Sequence, residues 1–308
     1  MLKLDGLGYR YRKGNVDVLH NVNAEFEAGK INAIVGPSGS GKTTLLSIMA
    51  GMDKPQTGVI SIDGKNLAEL DLNQYRRERV AMIFQAFHLF PLLTSIENVC
   101  YPLEAVGTEP TDAVARAKSL LESVGISEEK HNRYPANLSG GEQQRVAIAR
   151  ALSVGAKVIL ADEPTGNLDT DNSNAVIEIL KHLAHVQGYC IVIVTHNPEI
   201  ADAADAVFRM KDGVLSQDKA GAPKNHGASQ KGIQSPEQTV CSGEKGWVIQ
   251  NISEQKDRLK ERLGIEIDRY FEAFDNGSDQ SGFDITALEK LMSENQGELK
   301  TSTNEEFL

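Results

Sequence analysis

Residues Gly36 to Thr43 read Gly-Pro-Ser-Gly-Ser-Gly-Lys-Thr. They follow the short apolar run Ile31 to Val35 and precede Thr43 to Ala50, a stretch of helical character. An apolar run of that length suits a strand buried in a parallel sheet. Strand, glycine-rich turn and helix form the context in which such an octapeptide wraps a polyphosphate. Gly36, Gly39 and Gly41 carry no Cβ, so the backbone N–H groups can curl around an anion. The helix N-terminus adds partial positive charge at the same place. Lys42 brings a full charge for the β- and γ-phosphates of a nucleotide, and Thr43 a hydroxyl for Mg²⁺. Pro37, Ser38, Ser40 and Thr44 complete the nucleotide-binding set expected of this stretch.

Three further strand-like runs end in polar residues. Lys157 to Glu163 (Lys-Val-Ile-Leu-Ala-Asp-Glu) fits a central strand with Asp162 at its C-terminal end. Ligands of open α/β sheets bind at that edge. Asp162 there is placed to hold Mg²⁺, directly or through water. Glu163, one residue on, suits the orientation and deprotonation of an attacking water. Ile191 to His196 ends in Thr-His; His196 at the same edge can contact a γ-phosphate and steady the water or Glu163. Gln85 follows Val80 to Phe84, and its amide can reach Mg²⁺ or the water and withdraw again.

Asn137 to Arg145 reads Asn-Leu-Ser-Gly-Gly-Glu-Gln-Gln-Arg. Ser139-Gly140-Gly141-Glu142 matches a capping box, with Ser139 capping a helix that runs to about Leu152 and Glu142 reaching back. The same residues suit a second role, in which Ser139 and the amides of Gly140 and Gly141 bind a γ-phosphate at the helix N-terminus. The paired glycines favour that role, because close backbone approach needs no Cβ.

With these motifs the chain resembles the nucleotide-binding subunit of an ATP-binding-cassette transporter, over about residues 1–215. Gly36–Thr43 matches Walker A, Gln85 the Q-loop, Leu138–Gln143 the signature, Val158–Glu163 Walker B, Asn167–Asp169 the D-loop and His196 the switch histidine. Tyr11 matches the aromatic that stacks on adenine, with Tyr9 two residues away. The resemblance implies an α/β fold: a phosphate-loop NTPase core with a mostly parallel sheet, an antiparallel β-layer drawn from residues 1–30 and 56–64, and a helical insertion at about 87–137. It implies ATP and Mg²⁺ as ligands. It also implies a head-to-tail dimer in which each ATP lies between one Walker A and the other copy's Ser139, Gly140 and Gly141; both halves are complete here, so a homodimer would hold two competent sites. The run Glu163–Asp169 (Glu-Pro-Thr-Gly-Asn-Leu-Asp) and the stretch Phe84–Thr94 resemble the subgroup of macrolide-exporter, lipoprotein-release and cell-division ATPases. That implies an ATP hydrolase driving a separate integral-membrane permease, on the side of export or mechanotransmission. Phe87, Phe90, Leu92 and Leu93 are the expected permease-facing surface, or else pack inside the helical lobe. A soluble ABC-type clamp acting in DNA repair, chromosome organisation or translation is the rival class. A non-transporting regulator of a membrane complex is a third.

Composition narrows the partners. A net charge of −11 over 308 residues argues against nucleic acid. No run is long enough to span a bilayer, and the N-terminus reads as no signal peptide. A cytoplasmic chain touching the membrane through its permease is therefore expected. Cys100, Cys190 and Cys241 show no metal spacing, fit a reducing compartment, and Cys190 reads as core packing. His182 and His185, three apart on one helix, have no evident further ligand for a metal. Val114, Ala117, Leu120, Leu121 and Val124 have helical spacing. The domain reading is 1–216 as the ATP-binding domain, 217–246 as a flexible linker rich in Gly, Ser, Lys, Gln and Pro, and 247–308 as a small helical extension. In that extension Ile249, Ile252, Leu259, Leu263, Ile267 and Phe274 lie near one face, and Asp284 suits a helix cap. An EF-hand over 275–286 fails, since Gln280 and Thr286 hold the required glycine and bidentate-acid positions.

Overall fold

The computed structural model describes residues 1–11 and 16–218. The helical extension, Cys241 and the linker from 219 onward lie outside the described residues; of the residues read as linker, Gln217 ends a strand and Asp218 pairs with Arg209 at 2.9 Å.

A six-stranded sheet carries the core. In chain order it contributes β3 (Ile31–Val35), β6 (Val80–Ile83), β7 (Val158–Asp162), β8 (Cys190–Thr195), β9 (Ala206–Lys211) and β10 (Val214–Gln217), arranged in space as β10-β9-β3-β8-β7-β6. Every neighbouring pair from β9 to β6 is parallel; β10 joins as an antiparallel hairpin partner of β9. A second sheet of four antiparallel strands, ordered β2-β1-β4-β5, comprises β1 (Leu2–Tyr11), β2 (Val16–Phe26), β4 (Thr57–Ile62) and β5 (Lys65–Asn66). The helices are α1 (Lys42–Met49), α2 (Leu72–Glu78), α3 (Ser95–Ala105), α4 (Pro110–Ser123), α5 (Gly140–Ser153), α6 (Thr170–His185) and α7 (Pro198–Ala203), with three short 3₁₀ turns between them.

The alternation of side chains along a strand divides the interior in two. Ile159, Ala161, Ile191 and Ile193 point to a core shared with α3, α4, α5 and α6. Val158, Leu160, Cys190, Val192 and Val194 point the other way, to a core shared with α1 and the antiparallel layer. All six residues of β8 are buried, which is why it reads as a continuous apolar run. Cys190 packs in the second core as expected, and burial pushes its thiol up to about 11.

Of the helical face read from the sequence, Ala117, Leu121 and Val124 are buried and Leu120 packs partly against the same core; only Val114 departs. The buried face of α4 is Ala113, Ala117 and Leu121, whereas Val114 is 40% exposed. Ala113 takes the inward position instead, and an apolar count could not choose between adjacent apolar residues.

The registers Val35↔Thr195, Asp162↔Val194 and Ile83↔Ala161 align the C-terminal ends of four strands. The segments beginning at Gly36, Gln85, Glu163 and His196 therefore leave the sheet along one edge.

Candidate functional site

The loop after β3 is held open by geometry that only glycine tolerates at two positions. Gly41 caps α1 with φ +102°, a left-handed conformation closed to ordinary side chains. A Cβ on Gly36 would lie 2.1 Å from the Met210 carbonyl oxygen, so β9 presses directly on the loop. Lys42 is only 9% exposed and arches back over the turn, donating from Nζ to the carbonyls of Gly36 (3.0 Å) and Pro37 (2.9 Å). Burial pushes its ammonium down, and the carboxylates of Glu163 and Asp162 oppose that shift. The Tyr11 hydroxyl lies 2.9 Å from Thr44 Oγ1 at the start of α1, and Tyr9 packs edge-on against the Tyr11 ring at 5.1 Å. Tyr9 leans on the core of the antiparallel layer, which leaves Tyr11 as the aromatic nearer the loop.

Across the edge, Glu163 Oε1 is 2.7 Å from His196 Nδ1. Glu163 Oε2 accepts weaker bonds at 3.5 Å from Thr195 Oγ1 and the His196 amide. The Glu163 backbone sits at φ +48° and its N–H donates to Val194 O at 2.9 Å. A non-glycine residue in that region stores strain of order 1–3 kcal/mol. The geometry turns the carboxylate off the strand axis towards His196, whose side chain is 73% exposed.

Gln85 is exposed and its amide Nε2 is 3.4 Å from Asn167 Oδ1, while Asn167 Nδ2 donates to the Gln85 carbonyl at 3.1 Å. The turn after Gln85 carries Phe87 and His88, both at positive φ. Arg150, in the last turn of α5, donates to the carbonyls of His88 (2.5 Å) and Phe87 (3.1 Å), and its guanidinium lies 5.5 Å from the Phe90 ring centroid. Asn98 of α3, fully buried, accepts from the Phe90 amide and donates to the carbonyls of Phe90, Leu93 and Thr94. The segment holding Phe87, Phe90, Leu92 and Leu93 is thus fastened at both ends. Neither Arg150 nor Asn98 stood out in the sequence, because a lone arginine or asparagine on a helix carries no pattern.

Ser139 and Glu142 do form the capping box: Glu142 N donates to Ser139 Oγ (3.3 Å) and Ser139 N to Glu142 Oε2 (2.8 Å). Lys130 bonds Glu142 Oε1 at 2.7 Å and holds its carboxyl below the usual range. The space beside the two glycines differs. At Gly140 a Cβ would make ordinary contacts with Leu168, Phe87 and Asn167, whereas at Gly141 it would fall 2.0 Å from Asn172 Oδ1. The side-chain space of Gly141 is filled from within the chain. Glycine is therefore required at Gly141 by its own fold, whatever else approaches its amide.

A phosphate loop opening a helix at the end of a parallel sheet defines the chain as a phosphate-loop nucleoside triphosphatase. A family described as ABC transporter matches residues 19–166. Among curated proteins, the chain is 38% identical over 213 residues to the ABC transporter ATP-binding protein YclH of Bacillus subtilis, covering 69% of this chain and 94% of YclH. It is 43% identical over 228 residues to the macrolide export ATP-binding/permease protein MacB 2 of Aeromonas hydrophila, covering 72% of this chain and 35% of that protein. The chain thus spans about a third of the MacB length it matches. Among solved structures, the ATP-binding cassette MJ0796, in a dimeric post-hydrolysis state bound to ADP and Pi, is matched along its whole chain at 37% identity and a TM-score of 0.67, covering 72% of this chain. The chain belongs to the ABC transporter family. It is an ATP hydrolase of that family, which binds ATP with Mg²⁺.

The residues present suit those ligands. Lys42 and the α1 N-terminus supply positive potential, Thr43 a hydroxyl and Asp162 a carboxylate, all on one sheet edge. Among the described residues no three His, Cys, Asp or Glu converge on a metal position. Such a donor set fits Mg²⁺, which keeps waters and shares phosphate oxygens rather than sitting in an all-protein cage. His185, set aside as a metal ligand in the sequence, pairs instead with Asp205 at 2.9 Å.

Proposed function

We propose that the chain is the ATP-hydrolysing subunit of an ABC transport system, driving a separate integral-membrane permease of the export or mechanotransmission type. Residues 1–216 form the catalytic domain in this reading, with the helical insertion at about 87–137. The protein sits at the cytoplasmic face of the membrane, held there by the permease. The observation that carries the reading is the alignment of 94% of YclH, an ABC transporter ATP-binding protein, with this chain. The similarity to MacB, an export ATP-binding/permease protein, favours the export side. No helix among the described residues is long and apolar enough to cross a membrane.

Gly36 to Thr44 wrap the phosphates, with Lys42 turning from the Gly36 and Pro37 carbonyls to the β- and γ-phosphate oxygens, and Tyr11 covers the adenine. Thr43 and Asp162, with Gln85 in reach, would hold Mg²⁺, which would supply the charge that neutralises those oxygens. Glu163 takes a proton from the water whose oxygen attacks the γ-phosphorus, as the bond to the β-phosphate oxygen breaks and ADP leaves. His196 steadies the Glu163 carboxylate. Ser139, Gly140 and Gly141 reach the γ-phosphate held by a second copy, so that two copies close head to tail on two ATP molecules.

The test is recovery of a membrane partner. Tagged chain carrying Glu163→Gln is incubated with ATP and Mg²⁺ in gently solubilised native membranes. A polytopic protein retained with ATP and released with ADP is the expected result. Failure to retain any membrane protein, while the variant still dimerises on ATP, would contradict the permease-driving role.

A further inference from the structure

The turn from Asn167 to Asp169 and the turn from Ser139 to Gly141 belong to different helices, 26 residues or more apart in sequence. One side chain joins them. Asn172, in the first turn of α6, donates from Nδ2 to both carboxylate oxygens of Asp169 (3.0 and 2.8 Å), and its backbone N–H donates to Asp169 Oδ1 at 2.8 Å. Its Oδ1 accepts from Arg145 Nη1 in α5 at 3.2 Å. Its Cβ, Cγ and Oδ1 occupy the space that a side chain on Gly141 would need. Arg145 Nε is buried with no hydrogen-bond partner, and Nη1 makes the bond to Asn172.

We propose that Asn172 is a positioning residue that locks the Ser139–Gly141 turn to the Asn167–Asp169 turn, so that the two present themselves to a second copy as one block. This rests on the reading that Ser139 to Gly141 complete the partner's site. The physical basis is that a packed side chain with three fixed hydrogen-bonding directions leaves its neighbours few alternative arrangements. Gly141 is glycine, on this account, because Asn172 stands where its Cβ would go. Gln85 bonds Asn167 at one end of the same block and Leu168 lies against Gly140, so the block extends to the turn that follows β6. Asn172 acts through the elements it spaces.

The tests are a substitution cycle and an isosteric change, read in ATP turnover and in the affinity of a fluorescent ATP analogue. Gly141→Ala is expected to lower kcat at least about 10-fold and leave nucleotide affinity within about 2-fold, because each chain's own phosphate loop is untouched. Asn172→Gly removes the atoms that the new methyl would strike. In that background Gly141→Ala is expected to cost less than about 3-fold further, the signature of two residues in direct contact. Equal losses in both backgrounds would overturn the proposal, since the methyl would then be excluded by something other than Asn172. Asn172→Asp keeps the shape but turns a donor into an acceptor facing Asp169, so it guards against a mere folding defect; with an unchanged melting temperature it is expected to lower kcat about 5-fold or more. Wild-type turnover in Asn172→Asp would also overturn the proposal while leaving the ATPase reading intact. No turnover in the unsubstituted chain would remove both.

Discussion

Glu163 Oε1 and His196 Nδ1 are 2.7 Å apart, and the residue bearing the carboxylate is held at φ +48°. A strand that ended in ordinary extended backbone would send that carboxylate elsewhere; the left-handed turn brings it to the histidine. His196 therefore occupies one carboxylate oxygen and leaves the other, Oε2, with only long contacts. That second oxygen is the one available to a water.

Removing the charge at this position separates binding from chemistry. Glu163→Gln is expected to keep nucleotide affinity and lose turnover by about 10²- to 10⁴-fold, the usual contribution of a positioned general base. Steady-state hydrolysis and analogue titration on the same preparation check it. Full turnover would remove Glu163 as the base. His196→Ala leaves Glu163 Oε1 without its partner and should lower kcat with little effect on affinity.

Gly36 faces the Met210 carbonyl with no room for a methyl. Gly36→Ala should therefore force β9 and the loop apart, at about 1–3 kcal/mol of stability, as overpacking does. Nucleotide affinity should fall as well, because the amides that wrap the phosphates shift with the backbone. A urea titration and an analogue titration report the two effects, and a variant normal in both would show that the loop yields freely.

Arg150 spans from the last turn of α5 to the Phe87 and His88 carbonyls. Arg150→Ala should cost about 1.5–3 kcal/mol, the range for hydrogen bonds to a charged group. Amide hydrogen exchange should rise across 85–90 ahead of the rest of the chain. Arg150→Lys should recover only part of the loss, because a point charge cannot reproduce a planar fork. Uniform exchange across the protein would contradict a local clamp.

Lys130 lowers the Glu142 carboxyl pKa, with the Ser139 backbone bond adding to it. A carboxylate with a depressed folded-state pKa contributes stability that is present above its unfolded pKa and lost as pH falls through the folded one. The helix cap should thus weaken in acid, below about pH 4.3. Glu142→Gln should remove that part of the acid sensitivity. An unchanged slope of stability against pH in the variant would contradict it.

How much of this was legible in the sequence depends on what kind of pattern each residue belongs to. Lys42, Asp162, Glu163 and His196 lie at fixed offsets from apolar strands, so their common edge followed from the strand runs themselves. The capping box at Ser139 was equally visible, because both of its partners are three residues apart. Asn172, Arg150 and Asn98 were not visible. Arg150 and Asn172 reach across to other elements and Asn98 back to the irregular turn before its own helix, each through a single polar side chain on a helix whose spacing says only that a helix is present. The Gly140-Gly141 pair shows the same limit from another side: two identical neighbours have different surroundings, and only the fold reveals that Asn172 fills one of them.

The central claim is that a catalytically complete site needs two copies of this chain and ATP. The most direct measurement is the mass in solution of the Glu163→Gln variant by light scattering, with ATP and Mg²⁺ and then with ADP. The account predicts a doubled mass in ATP and a single chain in ADP. A mass that stays at one chain in ATP, with the nucleotide shown to be bound, would contradict it.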